Sequence, residues 1–181
     1  IERALAEISG LSEDVLFSDI KNFPAKEHLK KIRAFENYLS LYPQGKYLDP
    51  VKKMFSETLG DAFMDFKKNI VLCERDATWD DCMQICDDYV AVYSKYMDVT
   101  EAKSTRARIL MHKEFVDLRS QTAGKDSRAA KSLYMAYIQK YPKSPHNEEI
   151  QKVLQRIEQS AVAGQKWQAL KQYAQRSDVS L

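Results

Sequence analysis

The sequence has few residues that break helices, with only five glycines and five prolines in 181 residues. It contains neither an Asn-Gly nor an Asp-Gly turn, and no alternating run of β-branched residues indicates a strand. Few breakers imply long uninterrupted elements. In a chain of ordinary composition, 44% hydrophobic and 30% charged, such elements are helices. We therefore expect an all-α fold.

Targeting signals are also missing. No stretch approaches the ~20 apolar residues that span a bilayer, and no basic start is followed by an apolar run as in a signal peptide. The chain opens in mid-pattern at Ile1, which suggests a fragment of a larger protein. The compartment therefore stays open. The odd number of cysteines, three, favours a reducing, cytoplasmic setting, with the cell envelope as the alternative.

The usual catalytic and ligand-binding motifs are absent too. The sequence has no Gly-rich phosphate loop, no glycine-framed nucleophile, no calcium loop and no HExxH or CxxC motif. His28, His112 and His146 are scattered along the chain. We predict no catalytic residue, no cofactor site and no metal ligand, and therefore a protein that is not an enzyme.

The three cysteines are Cys73, Cys82 and Cys86, of which the last two lie four residues apart on one apolar helix face. Thiols packed in the core are the favoured interpretation. A metal site lacks further ligands at suitable spacing. A redox role or a disulfide with Cys73 remains open.

Apolar residues recur at spacings of three and four along most of the chain, best in the segment from Trp79 to Met97. Asp49-Pro50 predicts a helix start and Gly124 a helix stop, with Asp126 as the next N-cap. The expected helices cover residues 12–22, 25–42, 50–75, 79–97, 100–122, 126–141 and 147–175, and residues 1–9 end another helix.

An internal repeat organises these helices. Tyr38-Leu39-Ser40-Leu41-Tyr42-Pro43-Gln44-Gly45 matches Tyr137-Ile138-Gln139-Lys140-Tyr141-Pro142-Lys143-Ser144, and the downstream apolar residues align without a gap. A degenerate third copy lies at residues 93–97. We expect one domain over 1–181, with hairpins near 25–75, 79–122 and 126–175 and capping helices over 1–24. Trp167, near the C-terminal end, is expected to cover the outer face of the last hairpin, with partial exposure as the alternative.

A helix that ends in Tyr-Pro, then a small residue, then a second helix resembles a tetratricopeptide-like repeat of the bacterial Tyr-Pro-turn style. The resemblance implies antiparallel hairpins stacked as a short α-solenoid, and it implies protein binding. The expected units are roughly 45–55 residues long, against 34 in the standard repeat, and the standard Trp-Leu-Gly-Tyr pattern is missing.

Charge is uneven along the chain. Residues 1–60 are neutral, residues 61–100 carry a net charge of −5, and residues 101–181 carry +7. Chance asymmetry on solvated faces is the simplest reading; an acidic partner, or head-to-tail contact between copies, is the alternative. The candidate partner-binding residues are Arg106, Arg108, Lys113, Arg119, Lys125, Arg128 and Lys131.

These patterns predict a non-catalytic protein-interaction or assembly scaffold whose binding groove is formed by the first helices of each hairpin. Two alternatives stay open. One is a regulatory helical domain of a larger enzyme that carries a protease, kinase or GTPase module. The other is nucleic-acid binding through the basic C-terminal half, although the basic residues form no dense stripe with exposed aromatics.

Overall fold

A computed structural model describes residues 12–24 and 26–177, with side chains up to residue 174. This part of the chain contains helices and no strand, which confirms the all-α prediction. The predicted helix over residues 1–9 lies outside the described residues. The helices are α1 (Glu13–Asn22), α2 (His28–Leu41), α3 (Leu48–Arg75), α4 (Trp79–Tyr93), α5 (Thr100–Thr122), α6 (Ser127–Lys140) and α7 (Asn147–Ser177).

The ends of the helices follow local hydrogen bonding. As predicted, Asp126 caps α6, because its carboxylate accepts from the backbone N–H groups of Arg128 and Ala129, each at 2.9 Å. Gly124, with φ +75°, follows the end of α5 as expected. The predicted Asp49 cap is wrong, because α3 begins at Leu48 and Pro50 lies within its first turn.

Helix α4 ends at Tyr93, four residues earlier than predicted. The backbone N–H groups of Tyr96 and Met97 both donate to the Tyr93 carbonyl, at 2.9 and 3.1 Å, so the chain tightens into a turn there. The preceding turn, between α3 and α4, places Ala77 in the left-handed region at φ +54°. The Thr78 N–H then donates to the Cys73 carbonyl at 3.1 Å, which closes the end of α3.

A disulfide joins α3 to α4 across this turn, between Cys73 and Cys82. The favoured interpretation of packed thiols therefore fails for these two residues, and the disulfide alternative describes them. Their Cα atoms lie 5.6 Å apart, within the range that a disulfide requires. Cys86 is a buried thiol one turn further along α4.

The chain divides into two compact units, residues 1–106 and 107–181, with the boundary inside α5. In the first unit, consecutive helices from α1 to α4 pack on one another. One core cluster there contains Ile20, Phe35, Tyr38 and Val51. In the second unit, the end of α5 packs with α6 and the start of α7 around a cluster of six buried residues: Phe115, Leu118, Ala130, Tyr134, Tyr137 and Ile150.

The two Tyr-Pro turns, one in each unit, share one hydrogen-bond pattern. In each turn, the second tyrosine N–H donates to the first tyrosine carbonyl at 2.8 Å, from Tyr42 to Tyr38 and from Tyr141 to Tyr137. The backbone of the two cap tyrosines agrees, with φ/ψ of −128°/61° and −126°/68°. The N–H three residues later donates back to the cap carbonyl at 3.0 Å in both turns. We call these turns corner 1 (residues 38–48) and corner 2 (residues 137–147).

The side chains that fill the two corners differ. In corner 1 the Tyr38 hydroxyl donates to the Glu13 carboxylate at 2.5 Å, and the Tyr47 N–H reaches the same carboxylate at 3.3 Å. A Cβ on Gly45 would meet that carboxylate and would lie 2.7 Å from the Tyr38 hydroxyl. Glycine at position 45 therefore makes room for a side chain that comes from α1.

In corner 2 a serine stands in the place of Gly45. The Ser144 hydroxyl lies 3.1 Å from the Tyr137 hydroxyl and accepts from the His146 N–H at 3.2 Å. It makes the two contacts that Glu13 makes in corner 1. The Tyr137 hydroxyl also donates to the Met111 carbonyl of α5 at 3.1 Å. Each corner thus ties its buried tyrosine to the preceding helix, by a different group.

The degenerate third copy shares one feature with corner 2, a lysine that pairs with a glutamate and lies over the next tyrosine ring. Lys95 pairs with Glu36 at 2.5 Å and lies over the Tyr96 ring, 4.7 Å from its centroid. Lys140 pairs in the same way with Glu114, and lies over the Tyr141 ring at 5.1 Å. No proline follows Tyr96, and an Asp98 carboxylate caps Thr100 instead.

Candidate partner-binding site

The seven basic residues predicted to bind a partner are spread over both units, Arg106 in the first and the other six in the second. Four of them are held in ion pairs: Arg106–Asp87 at 2.6 Å, Lys113–Asp117 at 3.1 Å, Arg119–Glu149 at 3.9 Å and Lys131–Glu158 at 2.7 Å. Arg108 also makes an interaction. Lys125 and Arg128 flank the capping carboxylate of Asp126.

These contacts neutralise part of the predicted basic patch. The Asp126 carboxyl lies between two of these cations. Hydrogen bonds from the Ala129 and Arg128 N–H groups lower its pKa, and the nearby cations of Arg128 and Lys125 lower it further. Exposed ion pairs contribute little to stability, because solvent screens both charges. A partner could displace them at small cost, but the residues do not form one surface of unpaired cations.

The structure instead shows a groove that the sequence did not reveal, between α5 and α6 in the second unit. Its volume is about 300 Å³. Apolar side chains form part of the lining, and charged and amide groups form the rest. The lining residues are Glu114, Asp117, Leu118, Gln121, Leu133, Ala136, Tyr137 and Lys140.

The lining is held in place from several directions. The Lys140 ammonium donates to both carboxylate oxygens of Glu114 at 2.7 Å, which links α6 to α5 beside the groove. This hydrogen bond raises the pKa of Lys140. Tyr137 is buried and fixed at its hydroxyl by corner 2, and burial raises the pKa of that hydroxyl. The groove is therefore formed by side chains whose positions the fold determines.

Two histidines that are distant in sequence meet at the start of α7. His112 Nδ1 lies 3.0 Å from His146 Nε2, and the His146 ring stacks on Phe115 at 4.0 Å between centroids. Burial lowers the pKa of His146, and so does the neighbouring His112. Within residues 12–24 and 26–177, no group of three or more His, Cys, Asp or Glu side chains is placed to hold a metal ion.

The groove combines apolar and acidic groups. Leu118, Leu133 and Ala136 offer an apolar surface, and the carboxylates of Glu114 and Asp117 accept hydrogen bonds from a cation. Small concave sites with an apolar floor and a few polar groups bind side chains of a partner. The sequence could not predict this site, because its residues come from two helices and are 26 positions apart at the Glu114–Lys140 pair.

None of the helices in the described part of the chain is both long and apolar enough to cross a membrane. Comparison with protein-family models, with curated proteins and with solved structures gave no match.

Proposed function

We propose that this protein is a non-catalytic scaffold that binds a protein or peptide in the α5–α6 groove. In this proposal the hairpins stack in the manner of tetratricopeptide-like repeats, as the Tyr-Pro turns suggested. The observation that carries the function is the groove itself, with an apolar lining and two acceptor carboxylates.

The similarity of corners 1 and 2 supports the repeat architecture. Both corners place a buried tyrosine at the end of a first helix, and both put a fully buried apolar residue, Val51 or Ile150, in the first turn of the second helix. Units that share a corner and cannot cover their apolar faces alone are the units from which stacked hairpins are built.

The geometry of the groove supports a peptide or helix as the ligand. A cavity of about 300 Å³ has room for one large side chain, and it opens at the surface between two helices. The sequence placed binding along the first helices of the hairpins, and α6 is one of these. The ion-paired state of four of the predicted basic residues gives less support to nucleic-acid binding.

Peptide display against the purified chain tests the proposal. Selected peptides should share an apolar anchor residue and should bind in solution with a measurable dissociation constant by calorimetry. Ala136→Arg should raise that constant at least tenfold, because Ala136 is exposed and lines the groove, so that a long side chain fills it without disturbing the core.

Met135→Arg is the matched control. Met135 is on the same helix, half-exposed, and outside the groove lining, so the same added charge should leave binding unchanged. Selection of no peptide above background, or equal loss of binding in both variants, would count against the groove as the binding site.

A further inference from the structure

The two halves of α7 carry their apolar side chains on different sides of the helix. Ile150, Val153, Leu154 and Ile157 pack into the core of the second unit. At 3.6 residues per turn, that stripe continues through Gln168 and Gln172, which are polar. The apolar residues of the C-terminal half, Trp167 and Leu170 among them, project from the other side of the helix.

This second face is exposed along its whole length. Every residue from 158 to 174 is exposed to solvent, including Val162 at 51%, Trp167 at 60% and Leu170 at 61%. The favoured prediction, that Trp167 covers the outer face of the last hairpin, is therefore wrong, and the alternative of an exposed Trp167 describes it. Exposed apolar side chains in a row on an amphipathic helix mark an interaction surface.

Charge restricts what can cover this face. From Gln159 to Ala174 the sequence has two lysines, Lys166 and Lys171, and no acidic residue. Lys166 lies one turn from Val162 and one turn from Leu170, within the apolar face. Pairing α7 with α7 of another copy would bring like charges together. A surface that combines an apolar lining with carboxylates fits both the apolar side chains and the lysines of this face.

The α5–α6 groove is such a surface on this same chain. Its lining carries two carboxylates, Glu114 and Asp117, which are paired with Lys140 and Lys113 respectively. Each carboxylate has acceptor positions beyond the lysine that it already binds. The groove has room for one indole ring, and Trp167 is the largest exposed apolar side chain of α7.

We propose that copies of this chain associate head to tail, with Trp167 and Leu170 of one copy in the α5–α6 groove of the next. Lys166 and Lys171 then lie near Glu114 and Asp117 at the edge of that groove. A contact between two different surfaces leaves one groove and one helix unfilled at each step, so it forms rings or open chains. This inference rests on the proposed binding function of the groove and names its occupant.

Mixing two variants tests the contact. Trp167→Ala/Leu170→Ala removes the helix contact, and Ala136→Arg fills the groove; all three residues are exposed, so folding should be unaffected. The wild-type mass measured by light scattering should rise with concentration, whereas each variant alone should remain a monomer. An equimolar mixture should form a 1:1 dimer, because each variant keeps the surface that the other has lost.

Two controls accompany the mixture. Gln168→Ala/Gln172→Ala changes the opposite side of the same helix and should associate like wild type, as should Met135→Arg. Added salt should raise the dissociation constant, because it screens Lys166 and Lys171 from the carboxylates of the groove. A wild-type chain that stays monomeric at several hundred micromolar overturns the proposal. So does an Ala136→Arg variant that still dimerises, or a Trp167-dependent affinity for phosphatidylglycerol vesicles without self-association.

The two proposals fail separately. Peptide display on the Trp167→Ala/Leu170→Ala variant presents a groove that no other copy can fill. If that variant selects groove-binding peptides while wild type stays monomeric, the binding function stands and the head-to-tail contact does not. If neither peptides nor copies bind, both proposals are refuted.

Discussion

Glu13 and Ser144 perform the same task in corners 1 and 2, and a double-mutant cycle in corner 1 tests this equivalence. Gly45→Ser alone places a side chain where the Glu13 carboxylate lies, with its Cβ 2.7 Å from the Tyr38 hydroxyl and 2.9 Å from the Tyr42 Cβ. Such crowding costs about 1–3 kcal/mol. Glu13→Ala alone removes the acceptor of the Tyr38 hydroxyl and one of the two acceptors of the Tyr47 N–H, which still donates to the Tyr38 hydroxyl at 3.2 Å; the expected cost is about 1–2 kcal/mol.

The double variant should cost less than the sum of the two. With the carboxylate gone, the serine hydroxyl can take its place beside Tyr38 and accept from the Tyr47 N–H, as Ser144 does beside Tyr137 and His146. We expect a coupling of at least about 1 kcal/mol in favour of the pair, because both residues share the same partners.

The measurement is the free energy of unfolding in urea, followed by fluorescence. Trp167→Phe leaves Trp79 as the only tryptophan, so the signal reports on the first unit. Asp19→Ala, an exposed acid on the same helix α1, is the control and should be additive with Gly45→Ser. If Glu13→Ala and Gly45→Ser are additive within about 0.5 kcal/mol, the two corners are not equivalent.

Three further predictions concern stability. Because burial lowers the pKa of His146 below its ordinary 6.5, the fold favours the neutral ring; the stability it contributes is complete above about pH 6.5 and is lost as the pH falls through the lowered value. The drop in Tm between pH 7.5 and 5 should shrink in His146→Phe, and an equal drop would exclude this histidine as its cause. Reduction of Cys73–Cys82 should cost about 2–3 kcal/mol, because the bridge closes a loop with a sequence separation of nine; intact mass and urea unfolding with and without reductant measure both the bond and its effect. Gly60→Ala and Ala77→Gly should each stabilise the first unit by about 0.5–1 kcal/mol, since a Cβ at position 60 of α3 meets nothing while Ala77 has φ +54°; a loss of stability in either would contradict that backbone.

Helix positions were the most predictable part of this fold, because each depends on residues close in sequence. Asp126 caps the helix that it was expected to cap, and Gly124 follows the helix that it was expected to end. The Asp49-Pro50 signal failed by two residues, because the turn of corner 1 already sets Leu48 in helical geometry through its N–H bond to the Gly45 carbonyl. The backbone turn of corner 1 therefore starts the helix two residues before the Asp49 signal does.

The disulfide could have been predicted from the positions of the two cysteines relative to the turn, which the helical period alone does not consider. Cys73 and Cys82 lie on the buried faces of two helices, at similar distances from the turn that joins them. Side chains so placed meet when the hairpin closes. The groove carried no such signal, since Glu114 and Lys140 meet only after α5 and α6 have packed.

The buried tyrosines of corners 1 and 2 are held by different groups. Corner 1 takes its acceptor from α1, and α1 is held there by further contacts: the Phe17 ring stacks on Tyr47 at 4.0 Å, and Asp14 accepts from the Tyr47 hydroxyl at 2.6 Å. In corner 2 the Tyr137 hydroxyl donates to the Met111 carbonyl of α5, and the local Ser144 hydroxyl takes the place beside it that the Glu13 carboxylate takes in corner 1. In the second unit the α5–α6 groove is open to solvent, and α7 continues past Ile157 with an apolar face that no described residue of its own chain covers. Both surfaces through which we expect copies of the chain to meet therefore belong to the second unit.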